Sequence, residues 1–535
     1  MMRSRFDPSC LYPVGRSVVM SRNGMVATSH PLAALAGINV LQEGGNAVDA
    51  SVAVAAVLNV VEPMMTGIGG DMFALIYHAQ RGELTGLNGS GRSPYALDLD
   101  CLSKKGFSAI PDTGMLPVTV PGTLDGWISM LERYGTVSLG ELLSPAIRLA
   151  EEGVPVTEHV HQFWQKAEPK LREQPEARRV FLPDGKAPEP GSVVSLPDLA
   201  RTFRLIADGG RKVFYRGEIA KAIVRFSEAN GGLFSMKDFA QHQSTWVEPI
   251  RTSYSGCEIV ELPPNGQGVV ALEALNILGG YDLAAMGHNS GEYIHLMIEA
   301  MKLAFDDGKR FVADPEHEPP PFKKLLSKRY AAEVRRRISR DSAMEGSGVT
   351  GSGDTSYLTV VDSSRNAVSF INSLYEGFGS GMVVDGTGIC LQNRGKLFSV
   401  DPDHPNCLAP HKRPYHTIIP AMILQRRRPY VAFGVMGGFM QPQGHVQVVA
   451  NLMSFHMNIQ EALEAPRFRF LEGRDVALEG DVSARARRVL RGKGHNLVRQ
   501  KDVFFGGAQA IRIDWENGAL FGGSDPRKDG CAIGY

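Results

Sequence analysis

EGSGVTGSGDTSYLTVVDSSRNAVSFINSL, residues 345–374, changes texture at one peptide bond. Up to Asp354 it is a Gly/Ser tract, which predicts a flexible, exposed segment. From Thr355 to Val361 and again from Ala367 to Leu374 it is rich in β-branched and aromatic residues, and five residues of turn composition, Asp362–Asn366, separate the two runs. That pattern predicts a hairpin beginning at Thr355. A linker that delivers a threonine to the first position of a strand is the layout a hydroxyl nucleophile at a new chain end would need; a threonine acting only as a good strand former reads the same way.

Outward from the hairpin, helices and strands alternate. Pro31–Gly44 carries helical spacing and ends in glycine, and Asn46–Val61 is rich in Ala and Val on all sides, as expected of a helix buried between layers. MFALIY (72–77) has strand length, Ser144–Glu152, Tyr293–Lys309 and Val446–Met457 have helical periodicity, and Thr417–Leu424 and Tyr430–Val435 look like strands. The mixture predicts an α+β chain. Lys plus Arg and Asp plus Glu each total 57, so no basic field exists to hold a nucleic acid. The six cysteines form no CxxC motif, and the first residues (MMRSRFDPSCLYPVGRSVV) hold no secretory apolar run, so a reducing, cytoplasmic setting is expected. No stretch is long enough to span a bilayer. His404, His411, His416 and His445 show no metal-ligand spacing, so solvated or locally bonded histidines in Pro-rich loops are expected, with no metal. Gly67, Gly69 and Gly70 lack the spacing of a phosphate loop, and no cofactor is expected.

GDTSYLTVVDSSRNAV (353–368) resembles the processing site of gamma-glutamyltranspeptidases. The likeness continues in order along the chain through GGNAVDASVA (44–53), VEPMMTGIGGDMF (61–73), VPGTLDGW (120–127), ELLSPAIRLAEEG (141–153), EAMKLAFDDGKRFVADP (299–315), FGSG (378–381), HKRP (411–414), GVMGG (434–438), EAPRF (464–468) and SDPRKDGCAIGY (524–535). The resemblance implies a four-layer αββα sandwich of the N-terminal nucleophile hydrolase type. It implies a precursor that cuts itself between Asp354 and Thr355, leaving residues 1–354 and 355–535 associated as large and small subunits of one interlocked domain. Thr355 would be the nucleophile, and the freed α-amine, with a reference pKa of about 7.7–8.0, its base. By the same resemblance Gly437 and Gly438 match the oxyanion-hole pair, and Ser373 a hydroxyl that bonds the nucleophile.

Where the family grips an amino-acid head group, this chain departs. The large-subunit arginine position holds Ser90, with Arg92 nearby; the acid that would hold an ammonium falls on Leu397; the serine pair falls on Tyr415 and His416, and an asparagine on Tyr375. Leucine cannot hold an ammonium, whereas Arg394 suits a planar carboxylate. The expected substrate is therefore a small amide bearing a carboxylate and no amine, such as oxamate, the substrate of the amidohydrolase branch. A gamma-glutamyl hydrolase or transferase and a carboxyacyl-amide acylase are the alternatives within the enzyme class, and a non-catalytic scaffold lies outside it. A higher homo-oligomer is left open.

Overall fold

A computed structural model describes residues 15–349 and 353–535. The expectations for the first 14 residues, Cys10 among them, and for linker residues 350–352 lie outside the described residues. Two seven-stranded antiparallel sheets form the centre. Sheet I runs Cys531–Gly534, Met25–Thr28, Asp354–Val361, Ala367–Tyr375, Asp71–His78, Glu83–Gly89, Thr245–Val247. Sheet II runs Val19–Ser21, Leu520–Ser524, Gly507–Ile513, Arg428–Met436, Ala421–Gln425, Cys257–Glu261, Ile250–Tyr254. Both sheets interleave strands from before and after Thr355, so neither part of the chain has a sheet of its own.

Three apolar interfaces define four layers. Phe73, Leu75, Tyr357, Ile371, Met422 and Ile511 fill the space between the sheets. Val52, Leu58, Leu358, Val360 and Phe370 lie in the core where the helices Pro31–Gln42, Ala47–Val61 and Leu139–Glu152 cover sheet I. Leu272, Ile298, Phe433 and Val449 belong to the core where Gly268–Leu278, Gly291–Phe311 and Met440–Met453 cover sheet II. The period of two explains why the hairpin reads as continuously apolar: Tyr357 and Val361 face the other sheet, while Leu358 and Val360 face the helices. In Ala47–Val61 every residue is buried, and Asn46 caps the helix by accepting from the Val48 and Asp49 amides while Asp49 reciprocates. Among the described residues no helix is long and apolar enough to cross a membrane.

One expectation needs correction. Residues 346–349 of the Gly/Ser tract are not free. Gly346 and Gly473 exchange backbone hydrogen bonds of 3.1 and 2.8 Å, the Val349 amide donates to Leu471 O at 2.6 Å, and Val349 is buried. Val349 is an apolar anchor within the tract, and the backbone of 471–473 satisfies its peptide groups.

Candidate active site

Thr355 shares the parity of Tyr357, so its side chain points from sheet I toward sheet II, and it is 2% exposed. The pairing places Asp354 opposite Tyr375 and Ser356 opposite Asn372, so two residues, Ser373 and Leu374, face the single Thr355. This β-bulge brings Ser373 Oγ to 3.2 Å from Thr355 Oγ1. Ser373 Oγ also accepts from the Tyr375 amide at 2.8 Å and from Arg394 Nη2 at 3.2 Å. Those bonds engage its two lone pairs and suit it to donate to Thr355. Ser356, on the opposite face, donates to buried Glu62 at 2.6 Å and anchors the strand to the helical layer.

The strand Arg428–Met436 of sheet II ends beside this cluster at Gly437 and Gly438, with φ of +122° and +56°, values that favour glycine. A β-carbon on Gly353 would lie 2.6 Å from Gly438 Cα and 3.0 Å from its nitrogen, so the backbone just before Thr355 rests directly on the turn. Gln267 Nε2 holds Gly438 O at 3.0 Å and Thr417 O at 2.6 Å, and Tyr415 donates to Gln267 Oε1 at 3.1 Å. Tyr415 thus supports the turn through an intermediary. Gln441 Nε2 reaches Thr355 Oγ1 at 3.5 Å while its Oε1 accepts the Ile419 amide at 2.9 Å.

Arg394 is fully buried. Its Nη1 donates to Thr417 Oγ1 at 2.6 Å, its Nη2 to Ser373, and its guanidinium lies 4.5 Å from the centre of the Tyr375 ring. Tyr375 holds φ +79°, unusual for a bulky residue, in making that platform. No carboxylate among the described residues bonds Arg394, and its buried Nε has no hydrogen-bond partner. Burial pulls the guanidinium down to about 10, an effect that the more distant Asp71 partly offsets. Asp71 accepts from the Gly91 and Gly122 amides at 3.0 and 3.2 Å and from His416 Nε2 at 3.1 Å. Burial pushes its carboxyl up to about 6 against the opposing pull of Arg394, and burial keeps His416 neutral.

The structure therefore groups Thr355, Ser373, Tyr375, Arg394 and the Gly437–Gly438 turn, with Tyr415 and His416 behind them. Arg92 has a different engagement: its Nη2 bonds both oxygens of Glu316 at 2.7 Å, and Arg413 adds a contact of 3.4 Å to the same carboxylate. Ser90 is buried and accepts from Asn265 at 3.1 Å, while Leu397 packs half-buried on the outer core of sheet II. Thr417, Gln441 and Asp71 were not foreseen; the position of Thr417 immediately after Tyr415 and His416 was the only signal for it.

The histidine expectation also needs correction. His416 and His445 are buried, each against a buried carboxylate, and His445 lies in a helix, not a Pro-rich loop. His295, Glu299 and His495 form a group with ligand-type atoms within 4.8 Å of one another. The Lys302 ammonium already sits 2.8 Å from Glu299, so a buried positive charge is present there without a metal.

The gamma-glutamyltranspeptidase family model matches residues 33–535. A glutathione hydrolase-like proenzyme of Bacillus subtilis is 39% identical over 97% of this chain and 100% of its own length. An oxamate amidohydrolase proenzyme of Klebsiella pneumoniae is 35% identical over 96% of this chain and 99% of its own. The crystal structure of a cephalosporin acylase from Bacillus halodurans superposes with a TM-score of 0.93 at 44% identity, covering 99% of both chains. Sandwich, site geometry and these likenesses agree, and the chain belongs to the gamma-glutamyltranspeptidase family, with the fold of N-terminal nucleophile hydrolases.

Proposed function

We propose that this chain is a self-processing amidohydrolase with Thr355 as nucleophile, acting on amides whose acyl part carries a carboxylate and no amine. In the precursor the Thr355 hydroxyl attacks the Asp354 carbonyl, the Asp354–Thr355 C–N bond breaks, and an ester forms. Water hydrolyses that ester, freeing the hydroxyl and an α-amine and leaving residues 1–354 and 355–535 together. In turnover the amine takes the Oγ1 proton as the oxygen attacks the substrate carbonyl, with Ser373 donating to the nucleophile. The Gly437–Gly438 turn stabilises the oxyanion, the amide nitrogen leaves with a proton, and water releases the acyl group.

The observation that carries the substrate reading is Arg394: a buried guanidinium, hydrogen-bonded to two hydroxyls, with an unpartnered Nε and, among the described residues, no bonded carboxylate, on the same Ser373 oxygen that contacts Thr355. A substrate carboxylate supplies the missing partner. Oxamate is the smallest such amide and would yield oxalate and ammonia. The likeness to a cephalosporin acylase favours a second reading, in which a longer carboxyacyl group occupies the same site. Hydrolysis of oxamate, glutaryl amides, glutamine and glutathione by the cleaved protein tests both. The proposal expects the amine-free acids to be preferred, and a preference for glutathione with the amine-free acids inert would overturn it.

A further inference from the structure

We propose that the buried pair Glu261–His445 is a positioning device that holds the Gly437–Gly438 turn in its reactive shape. This rests on the reading of that turn as the oxyanion hole. The strand Arg428–Met436 outruns its neighbour: pairing with Ala421–Gln425 stops at Phe433, while pairing with Gly507–Ile513 on the other side continues to Met436. The Val435 amide, two residues before the turn, therefore faces the side where no strand remains. His445 Nε2 takes it at 3.1 Å. His445 belongs to the helix that starts just after the turn, so the bond ties the strand before Gly437 to the helix after Gly438. That helix also carries Gln441, one turn before His445, which reaches Thr355 Oγ1. The helix is seated close: a β-carbon on Gly444 would lie 2.5 Å from Val435 Cγ1.

The bond requires one tautomer. A neutral imidazole that accepts at Nε2 carries its hydrogen on Nδ1, and that hydrogen needs an acceptor. Glu261 Oε1 supplies it at 2.7 Å from the end of the strand Cys257–Glu261. Without Glu261 the other tautomer is open to the ring, and an Nε2–H would then oppose the Val435 N–H. Both side chains are fully buried, and burial pulls His445 down to about 3, so the ring stays uncharged.

The test replaces the pair in the cleaved enzyme and follows hydrolysis of a carboxylate-bearing amide. The double variant Glu261→Leu/His445→Phe removes the buried carboxyl and imidazole together and leaves the Val435 amide as the group that loses its acceptor. It should lose about 10–100-fold in kcat with little change in KM, less than the about 10²–10³-fold of deleting an oxyanion donor outright. Glu261→Gln keeps a carbonyl acceptor for Nδ1–H and should stay within about threefold of the parent, whereas Glu261→Leu should fall with the double variant. Wild-type kcat in the double variant, with Gly438→Val inactive, would overturn the inference and leave the oxyanion reading standing. Full activity of Gly438→Val would remove both. Equal losses in Glu261→Gln and Glu261→Leu would reduce the pair to packing.

Discussion

Replacing Arg394 by methionine, which keeps much of the side-chain volume, should separate stability from turnover. In the folded chain the guanidinium is held down to about 10 from its ordinary 12.5, which corresponds to about 3 kcal/mol of unfavourable burial. The sign follows from its being a base: below about pH 10 the buried charge costs stability, and the cost fades as the pH rises toward 12.5. Methionine removes that cost but also loses the bonds to Thr417 and Ser373, each worth about 1 kcal/mol. The melting temperature should therefore hold or rise. Turnover behaves oppositely. A bound carboxylate deprived of its buried partner loses about 3–5 kcal/mol, or roughly 10²- to 10⁴-fold in kcat/KM. Arg394→Lys keeps the charge without the planar fork and should fall between the two. The assay pairs thermal melts with kcat/KM on an anionic and a neutral amide. Equal losses on both amides, or wild-type kcat/KM on the anionic one in Arg394→Met, would refute the reasoning.

Thr355→Ala should leave a single full-length band on a denaturing gel, while Thr355→Ser should still yield two bands, the smaller beginning SSYLTVV. Gly353→Ala places a β-carbon 2.6 Å from Gly438 Cα, so self-cleavage should slow measurably in a time course after synthesis. Asp71 is raised to about 6, so below that pH it gains a proton and stops offsetting the Arg394 charge; KM for an anionic amide should drop as the pH falls through about 6, and Asp71→Asn should abolish that drop.

Local chemistry made much of the fold legible. The hairpin followed from β-branched runs around a five-residue turn, and the buried helix from a segment rich in Ala and Val on all sides. The grouping of Thr355 with Ser373 and the Gly437–Gly438 turn was reachable because the family motifs that carry these residues are short spans of chain. What the sequence concealed depends on distant partners. Asp71 and His416 meet across 345 positions, and Glu261 and His445 across 184, so neither pair leaves a local pattern. Arg394 was visible as a candidate, but its burial and its unpartnered Nε come from three segments converging: the bulge at Ser373, the loop at Thr417 and the platform of Tyr375. The ordering of 346–349 is not legible in a Gly/Ser composition, because the single apolar residue Val349 is enough to dock the backbone.

The geometry also gives the proposed reaction an order. In the uncut chain Thr355 is 2% exposed, and the Gly353 backbone lies against Gly438, the position that a substrate carbonyl must approach. An acyl group cannot occupy that space while the chain before Thr355 does. Cutting after Asp354 therefore has two effects in the proposed mechanism: it creates the α-amine that serves as base, and it frees the chain end that covers the turn. Arg394 is hydrogen-bonded to Ser373 in the uncut chain, so in the proposed mechanism its charge is already in place for a carboxylate. A substrate bearing that carboxylate two or more atoms from its amide carbonyl must reach past Ser373 to the guanidinium. In the proposed mechanism the spacing between Thr355 Oγ1 and Arg394 thus sets the acyl length that is preferred.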